Sequence, residues 1–417
     1  MVFYLQKEGE AALKNDSTIK VGILSLSNYI TVLVNTILFP VFPAMARDLN
    51  INLTDLAILV GIVSFPAAVI NLFGGVLSDR FGRKLVMVAS LLIYGLGGLL
   101  AGVAIIFVAN PYSLILVGRF LQGVGSATPM FLSVALVGDI FRSIERSKAV
   151  GFLETANGLG KVSSPVIGGA IGLLSWRAIF FIYPLVAIPV AVATWIYIKE
   201  PKQDRDVEWE KHKEAFLLFK NRSRMLSLVA AFMVIFILIG TMFWMSDFLG
   251  TKLQINKLLR GVIIALPAVA MMLTTLAAGF ISRRIHPRII ITVGMLLLAG
   301  SAIVLGFVFN SLLFWPLIVL VGIGAGITLP AIDTVSTSVK SKDIRGLTTT
   351  IYGSARSLGG ALSPITFSFL LHYGSRMTFA GVGAVGLLLT VIFYLLFIEK
   401  DILPEELLPE DAAPEQG

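Results

Sequence analysis

The chain has no cysteine among its 417 residues. Thiol chemistry, disulfide bridges and cysteine-held metals are excluded, while the compartment stays open. Charge is scarce too. Asp, Glu, Lys and Arg make up 14% of the residues, against about 25% in an ordinary soluble domain. So few charges cannot cover the surface of a soluble protein of this size, which excludes a soluble enzyme and a disordered chain. Histidine is limited to His212, His286 and His372, all in loops or at the ends of apolar runs. No nucleophile–base pair or metal-ligand cluster is evident, so no enzyme activity, metal or cofactor is expected. No Gly-x-x-x-x-Gly-Lys-Ser/Thr run exists to cradle nucleotide phosphates, which argues against an ATP-driven pump. Gly322-Ile323-Gly324-Ala325-Gly326 sits inside an apolar run with no strand before it and reads as helix packing.

What is present is apolar. Hydrophobic residues are 56%, with 39 glycines besides. Twelve stretches reach the ~20 residues that a membrane-crossing helix needs. They fall near 21–43, 55–78, 85–108, 112–138, 149–172, 176–198, 226–249, 258–281, 289–309, 312–335, 346–371 and 377–398. If the N-terminus is placed inside, 24 Lys and Arg fall in inner segments and six in outer ones. That bias predicts cytoplasmic termini, and it explains the net charge of +8 without nucleic acid. A cleaved-signal reading of residues 1–46, ending at Ala44-Met45-Ala46, fails because the apolar run is too long and holds Pro40 and Pro43.

The expected organisation is an N-terminal segment (1–20), six helices (21–198), a linker (199–225), six more helices (226–398) and an acidic, disordered tail (399–417). The linker mixes charge with Trp209, Phe216, Leu217, Leu218 and Phe219. It reads either as an amphipathic helix on the inner membrane surface or as a solvated connection. The halves look related. Residues 156–165 can be laid on 355–364 and 123–125 on 322–324, both at an offset of 199, and 75–80 finds an echo in 279–284. Duplicated halves with substrate held between them are a recurrent transporter design.

The segment Gly75-Val76-Leu77-Ser78-Asp79-Arg80-Phe81-Gly82-Arg83-Lys84 closely resembles the loop signature of the major facilitator superfamily. Gly82 permits a tight turn. Asp79, an acid at a membrane boundary, needs a partner, for which the N-terminal end of the helix near Gly346 or a nearby Arg would serve. The resemblance implies that this loop latches the halves together on the cytoplasmic side, with Asp139 joining in. Arg119-Phe120-Leu121-Gln122-Gly123 resembles a second signature of the family. Arg119 lies about 10 Å inside the membrane, so it must face the bundle interior and pair with something. The resemblance assigns it to proton coupling through a neighbouring acid; a structural ion pair is the other reading. Gly160, Ser164, Pro165, Gly168 and Gly169 resemble the Gly-Pro-x-x-Gly-Gly signature of the antiporter branches, with Ser164 standing where Gly is usual. Such residues also serve close helix packing. Phe39-Pro40-Val41-Phe42-Pro43 and Trp176-Arg177-Ala178-Ile179-Phe180-Phe181 are similar to segments of twelve-span drug exporters. The fold implied is all-α and integral to the membrane, twelve helices in two pseudo-symmetric six-helix bundles.

Arg119, Glu154, Lys161, Asp247, Asp333 and Arg356 lie in or near spans. Exposing all six to lipid would cost about 15–21 kcal/mol at ~2.5–3.5 each, so most must pair or line a cavity. Burial favours a neutral carboxyl and a close cation favours an ionised one. Glu154 is therefore the candidate proton carrier, with Arg119 or Lys161 as the cation that drives release and Asp333 as the alternative acid. A static ion pair is the competing reading. Tyr29, Phe39, Phe42, Phe243, Trp244 and Tyr352 lie on the spans that line the cavity in the family; with Asp247 and Arg356 they are the substrate-cavity candidates. The expected function is proton-coupled efflux of hydrophobic or amphiphilic compounds by a monomer in a bacterial inner membrane, energised by the proton gradient. Metabolite uptake, lipid flipping and a non-transporting sensor remain alternatives.

Overall fold

Proline and glycine decide where the apolar runs break. In the computed structural model, which describes residues 2–200, 209–281, 285–308, 311–339, 342–398 and 402, the first long helix α1 (Val2–Leu33) stops before the expected end of its span. Residues 34–38 form turns, and Phe39–Val41 a short 3-10 turn. A second helix α2 (Phe42–Leu49) follows and ends on Asn50 in the left-handed region, φ 52°. Pro40 and Pro43, which supply no backbone N–H, stand in the first turns of the two short segments that follow, where no such donor is needed. Asn52 and Asp55 then make a reciprocal capping box that starts α3 (Leu53–Phe81).

The chain continues as α4 (Arg83–Phe107), α5 (Tyr112–Ala127), α6 (Pro129–Ile140), α7 (Ser143–Leu174) and α8 (Ile179–Tyr197). Thr128 and Pro129 interrupt the fourth expected span between α5 and α6. After the linker helix α9 (Trp209–Leu217) come α10 (Arg222–Asp247), α11 (Lys257–Ile281), α12 (Pro287–Val308), α13 (Phe314–Thr337), α14 (Lys342–Leu370) and α15 (Ser375–Leu396). Among the described residues there is no strand. Nine helices there are long and apolar enough to cross a membrane. The other three expected spans fall on α1, α7 and α14, which carry more polar side chains, including Asn28, Glu154, Lys161 and Arg356. Residues 201–208 of the linker lie outside the described residues, as does the expected acidic tail apart from Ile402.

Helices α1 and α3–α8 pack among themselves, as do α10–α15. Two seams join the groups: α3 against α14, and α7 against α11. Lipid is as apolar as a side chain, so close approach at small residues replaces the hydrophobic drive. The same approaches recur in both groups. A Cβ on Gly125 would meet Ser90 O and Tyr94 N, each at 2.4 Å; one on Gly324 would meet Gly294 O at 2.7 Å and Leu298 N at 2.8 Å. Gly123 lies against Val63 O and Gly322 against Pro267 O. Ser164 donates to Leu33 O, and Ser363 to Phe236 O. These are the positions that the internal sequence echo pairs. Two related bundles, each packed by one set of backbone contacts, are the result.

Candidate functional site

The break after α1 exposes carbonyls that helix bonding does not fully occupy, at a depth where water is absent. Side chains from three helices reach them. Tyr94 of α4 donates to Ile30 O at 2.7 Å, and Ser164 of α7 to Leu33 O at 2.8 Å. Arg119 of α5 donates to Val34 O at 3.0 Å. Arg119 also reaches Leu59 O at 3.2 Å, Gln122 Oε1 at 3.0 Å and the Tyr183 hydroxyl at 3.5 Å. It is 1% exposed. Its hydrogen-bond partners among the described residues are all neutral, which corrects the expectation of an acid beside it. The guanidinium offers five donors in a planar fork, and broken backbone supplies carbonyls enough to use them. Ser164, which stands where the resembled signature has Gly, uses its hydroxyl to hold one of these carbonyls.

At the end away from the basic loops the two groups of helices are sealed. Phe39 and Phe42 each meet Phe243 edge-on and lie tilted against one another, with centroids 5.2–6.5 Å apart. Ser246 donates to Phe39 O, Arg260 to Pro40 O at 2.8 Å, and Lys257 to Gly172 O at 2.7 Å. The small residues of α7 allow this. A Cβ on Gly168 would fall 1.7 Å from Ile37 O, and one on Gly169 would fall 2.4 Å from Lys257 O. Gly261 of α11 meets Pro165 O in the same way. Gly160 lies against Tyr29 O, and the Tyr29 hydroxyl bonds Ser163 at 2.8 Å. Helix α7 is thus pinched between the end of α1 and the start of α11. Gly168→Ala puts a methyl group against backbone on one side, and overpacking of this kind costs about 1–3 kcal/mol. The expected result is a lower thermal midpoint in detergent together with a looser seal at this end; an unchanged midpoint would contradict the packing.

Three corrections follow for the cavity candidates. Phe39, Phe42 and Phe243 are buried in the seal and do not line a cleft in this state. Trp244 belongs to the interior of the second bundle: it stacks on Phe248, meets Phe379 and Phe314, and donates to Ser375 Oγ at 3.0 Å. Tyr352 is also buried, packed on Phe219 with its hydroxyl directed to Arg224 O. Large aromatic residues on these helices were wanted for packing.

The charges do converge. Glu154 is exposed although it lies roughly 16 Å along α7, at 1.5 Å per residue. It feels the charge of Lys161 on its own helix and of Asp333 and Arg356 on the opposite bundle. Lys161 in turn feels Glu154, Arg356 and Asp333. Asp333 of α13 and Arg356 of α14 form an ion pair. Glu154 is thus an exposed acid within reach of charges carried by the other bundle. Asn157, one turn on from Glu154, is buried against Met130. Asp247 lies apart, at the C-terminal end of α10 beside Lys252 and Arg260. The arrangement can hold and pass a proton, and it offers both signs of charge to a ligand.

At the basic end, Gly82 has φ 93°, a conformation that side chains disfavour. The turn aims the first backbone N–H groups of α4 at Glu200, which accepts from Arg83 N at 2.8 Å and Lys84 N at 2.9 Å. A Cβ on Gly82 would stand 2.9 Å from that carboxylate. Arg83 pairs with Asp139 and donates to Ala135 O, and Lys84 lies 4.6 Å over the ring of Trp195. These contacts stay within the first bundle. Asp79 and Arg80 end α3, which packs along α14, and the Ser78 hydroxyl donates to Gly75 O.

Sequence reasoning missed Glu200, Arg224, Lys257 and Arg260, having read them as loop charges. Arg224 and Arg260 are each 6% exposed, bonded to Ser338 O and Pro40 O. Their partners are carbonyls far along the chain, which leave no side-chain signature. The one available signal was position, a basic residue within a few places of an apolar run.

A family model described as Major Facilitator Superfamily matches residues 24–364 and 248–416. The "Bacillibactin exporter" of Bacillus subtilis (strain 168) is 31% identical over 368 residues, covering 86% of this chain and 92% of that protein. The class B "Tetracycline resistance protein" of Escherichia coli is 24% identical, covering 88% and 92%. Among solved structures, a bacterial homologue of the human lysosomal transporter Spinster, inward-facing and unoccupied, superposes with a TM-score of 0.77 at 19% identity, covering 94% of this chain and 99% of that one. Signature loop, interrupted first span, paired bundles and these matches agree: the chain is a membrane-spanning transporter, not an enzyme, and belongs to the major facilitator superfamily.

Proposed function

We propose that this chain exports hydrophobic or amphiphilic compounds in exchange for protons, by alternating access. On this reading it has twelve spans with both termini cytoplasmic, acts as a monomer in a bacterial inner membrane, and is held here with the outer end sealed and the cleft open to the cytoplasm. Each bundle moves as a body, and α3–α14 and α7–α11 are the sliding seams. The observation that carries the proposal is the meeting of Glu154 and Lys161 from one bundle with Asp333 and Arg356 from the other. Opposite charges held by two bodies change partners when the bodies rock, and a carboxyl that loses its cation favours taking up a proton. Asp79, at the end of α3 beside α14, belongs to the latch that holds the closed cytoplasmic side in the other state. The relative named as a bacillibactin exporter supports export over uptake.

Inverted membrane vesicles test the direction. With the inside made acidic, tetracycline or bacillibactin offered outside is expected to accumulate, and a protonophore is expected to release it. Loss of preloaded compound on acidification would mean uptake in the cell and would overturn the export reading.

A further inference from the structure

We propose that Arg260 is the lock of the outer gate and that Asp247 is the second seat its guanidinium takes when the gate opens. This rests on the alternating-access reading and names the residues that govern one of its two ends. Arg260 projects from the first turn of α11 across the seam between bundles. Its Nη1 donates to Pro40 O of the first bundle at 2.8 Å, and its Nη2 to Ile255 O of its own bundle at 2.7 Å. The residue is 6% exposed, and its buried Nε has no partner. A cation buried with part of its donor set unused is costly to keep. The seat against it is nonetheless closely shaped: a Cβ on Gly250 would stand 2.6 Å from Arg260 Cζ and 2.5 Å from Pro43 Cγ. Only a glycine lets the guanidinium and Pro43 meet there.

The charges around this seat are Arg47 of α2 and Asp247 of α10 beside Arg260, with Lys252 beside Asp247. Arg47 and Arg260 come from opposite bundles and repel each other across the seam. The tie to Pro40 O opposes that repulsion. Asp247 attracts Arg260 from the same bundle without being bonded to it in the sealed state. When the first bundle swings away it takes Pro40 O with it. The carboxylate of Asp247 then remains within the second bundle to receive the freed N–H groups, and a charge-assisted pair replaces a bond to a neutral carbonyl. The sealed and open gates thereby each hold the cation, so that neither state leaves it unpaired.

The absence of native cysteine makes this measurable without background. Ser246→Cys places a thiol in the seal, where Ser246 is fully buried, and every rate is compared with that parent. The purified protein in liposomes, outer end outward, is treated with a membrane-impermeant maleimide, with no substrate and no gradient. Adding Arg260→Gln is expected to raise the labelling rate about tenfold or more. Arg260→Lys, which keeps the charge but not the two-pronged reach, is expected to fall between; it also serves if Arg260→Gln fails to fold. Asp247→Asn is expected to lower the rate at least threefold, because the open gate loses its seat for the cation. An unchanged rate in both folded Arg260 variants would overturn the lock. A faster rate in Asp247→Asn would overturn the second seat. Labelling is read in the resting protein, so it succeeds or fails independently of whether transport exchanges protons.

Discussion

Replacing Glu154 with Gln is expected to reduce gradient-driven export to background while leaving substrate affinity within about threefold. The amide has the shape of the protonated acid and cannot release a proton. Lys161, Asp333 and Arg356 keep their places, so the cleft retains its form and most of its charge. Counterflow of labelled against unlabelled compound, which needs no net proton movement, should survive. The two assays together separate a proton carrier from a member of a static ion network. A carboxyl that only neutralised Lys161 would lower both activities alike when removed. Asp333→Asn is expected to behave differently: it frees Arg356, the partner to which Asp333 is bonded, and so weakens binding and stability before it affects coupling. Preserved gradient-driven export in Glu154→Gln would move the proton to another group.

The second large effect is expected at Arg119. Removing its side chain in Arg119→Leu leaves Val34 O and Leu59 O without their charged donor. A buried group stripped of its hydrogen bond costs about 1–3 kcal/mol, so a loss of roughly 2–4 kcal/mol and a fall of several degrees in the apparent thermal midpoint are expected. Arg119→Lys should recover only part, since one ammonium cannot span Leu59 O, Val34 O and Gln122 together. If Arg119 worked instead by tuning a neighbouring acid, Lys would restore function and the midpoint would scarcely move. Equal midpoints for native, Leu and Lys proteins would refute the structural role argued here. The consequence for function is indirect. The broken end of α1 leads into the aromatic seal, so a loosened α1 also loosens Phe39 and Pro40.

Much of this architecture is written locally in the chain. Apolar runs of membrane length, Pro40 and Pro43 near the end of the first, and Gly82 in its basic turn each act over a few residues, and each is visible without a partner. The doubled Gly and Ser positions were legible for the same reason, because close helix approach demands small residues wherever it occurs. The site was legible only in part. Glu154, Lys161, Asp333 and Arg356 stand out because charge within an apolar helix is expensive. Aromatic residues carry no such signal. Phe243 and Trp244 are neighbours on α10, yet one plugs the seal and the other fills a bundle. Arg119 was correctly read as interior and wrongly supplied with an acid, because a break in α1 that bares carbonyls cannot be seen from α5. Glu200, Lys257 and Arg260 lie at the ends of runs, where a charge on the surface and a charge bent inward look alike.

The claim on which the rest depends is that the charges of α7, α13 and α14 move protons as substrate moves. Proteoliposomes with a trapped pH dye test it most directly, using tetracycline and bacillibactin as the compounds and no imposed gradient. Native protein should shift internal pH in fixed proportion to the amount transported, and Glu154→Gln should carry no proton signal. Transport by the native protein with internal pH unchanged, or an undiminished pH signal in Glu154→Gln, would contradict it.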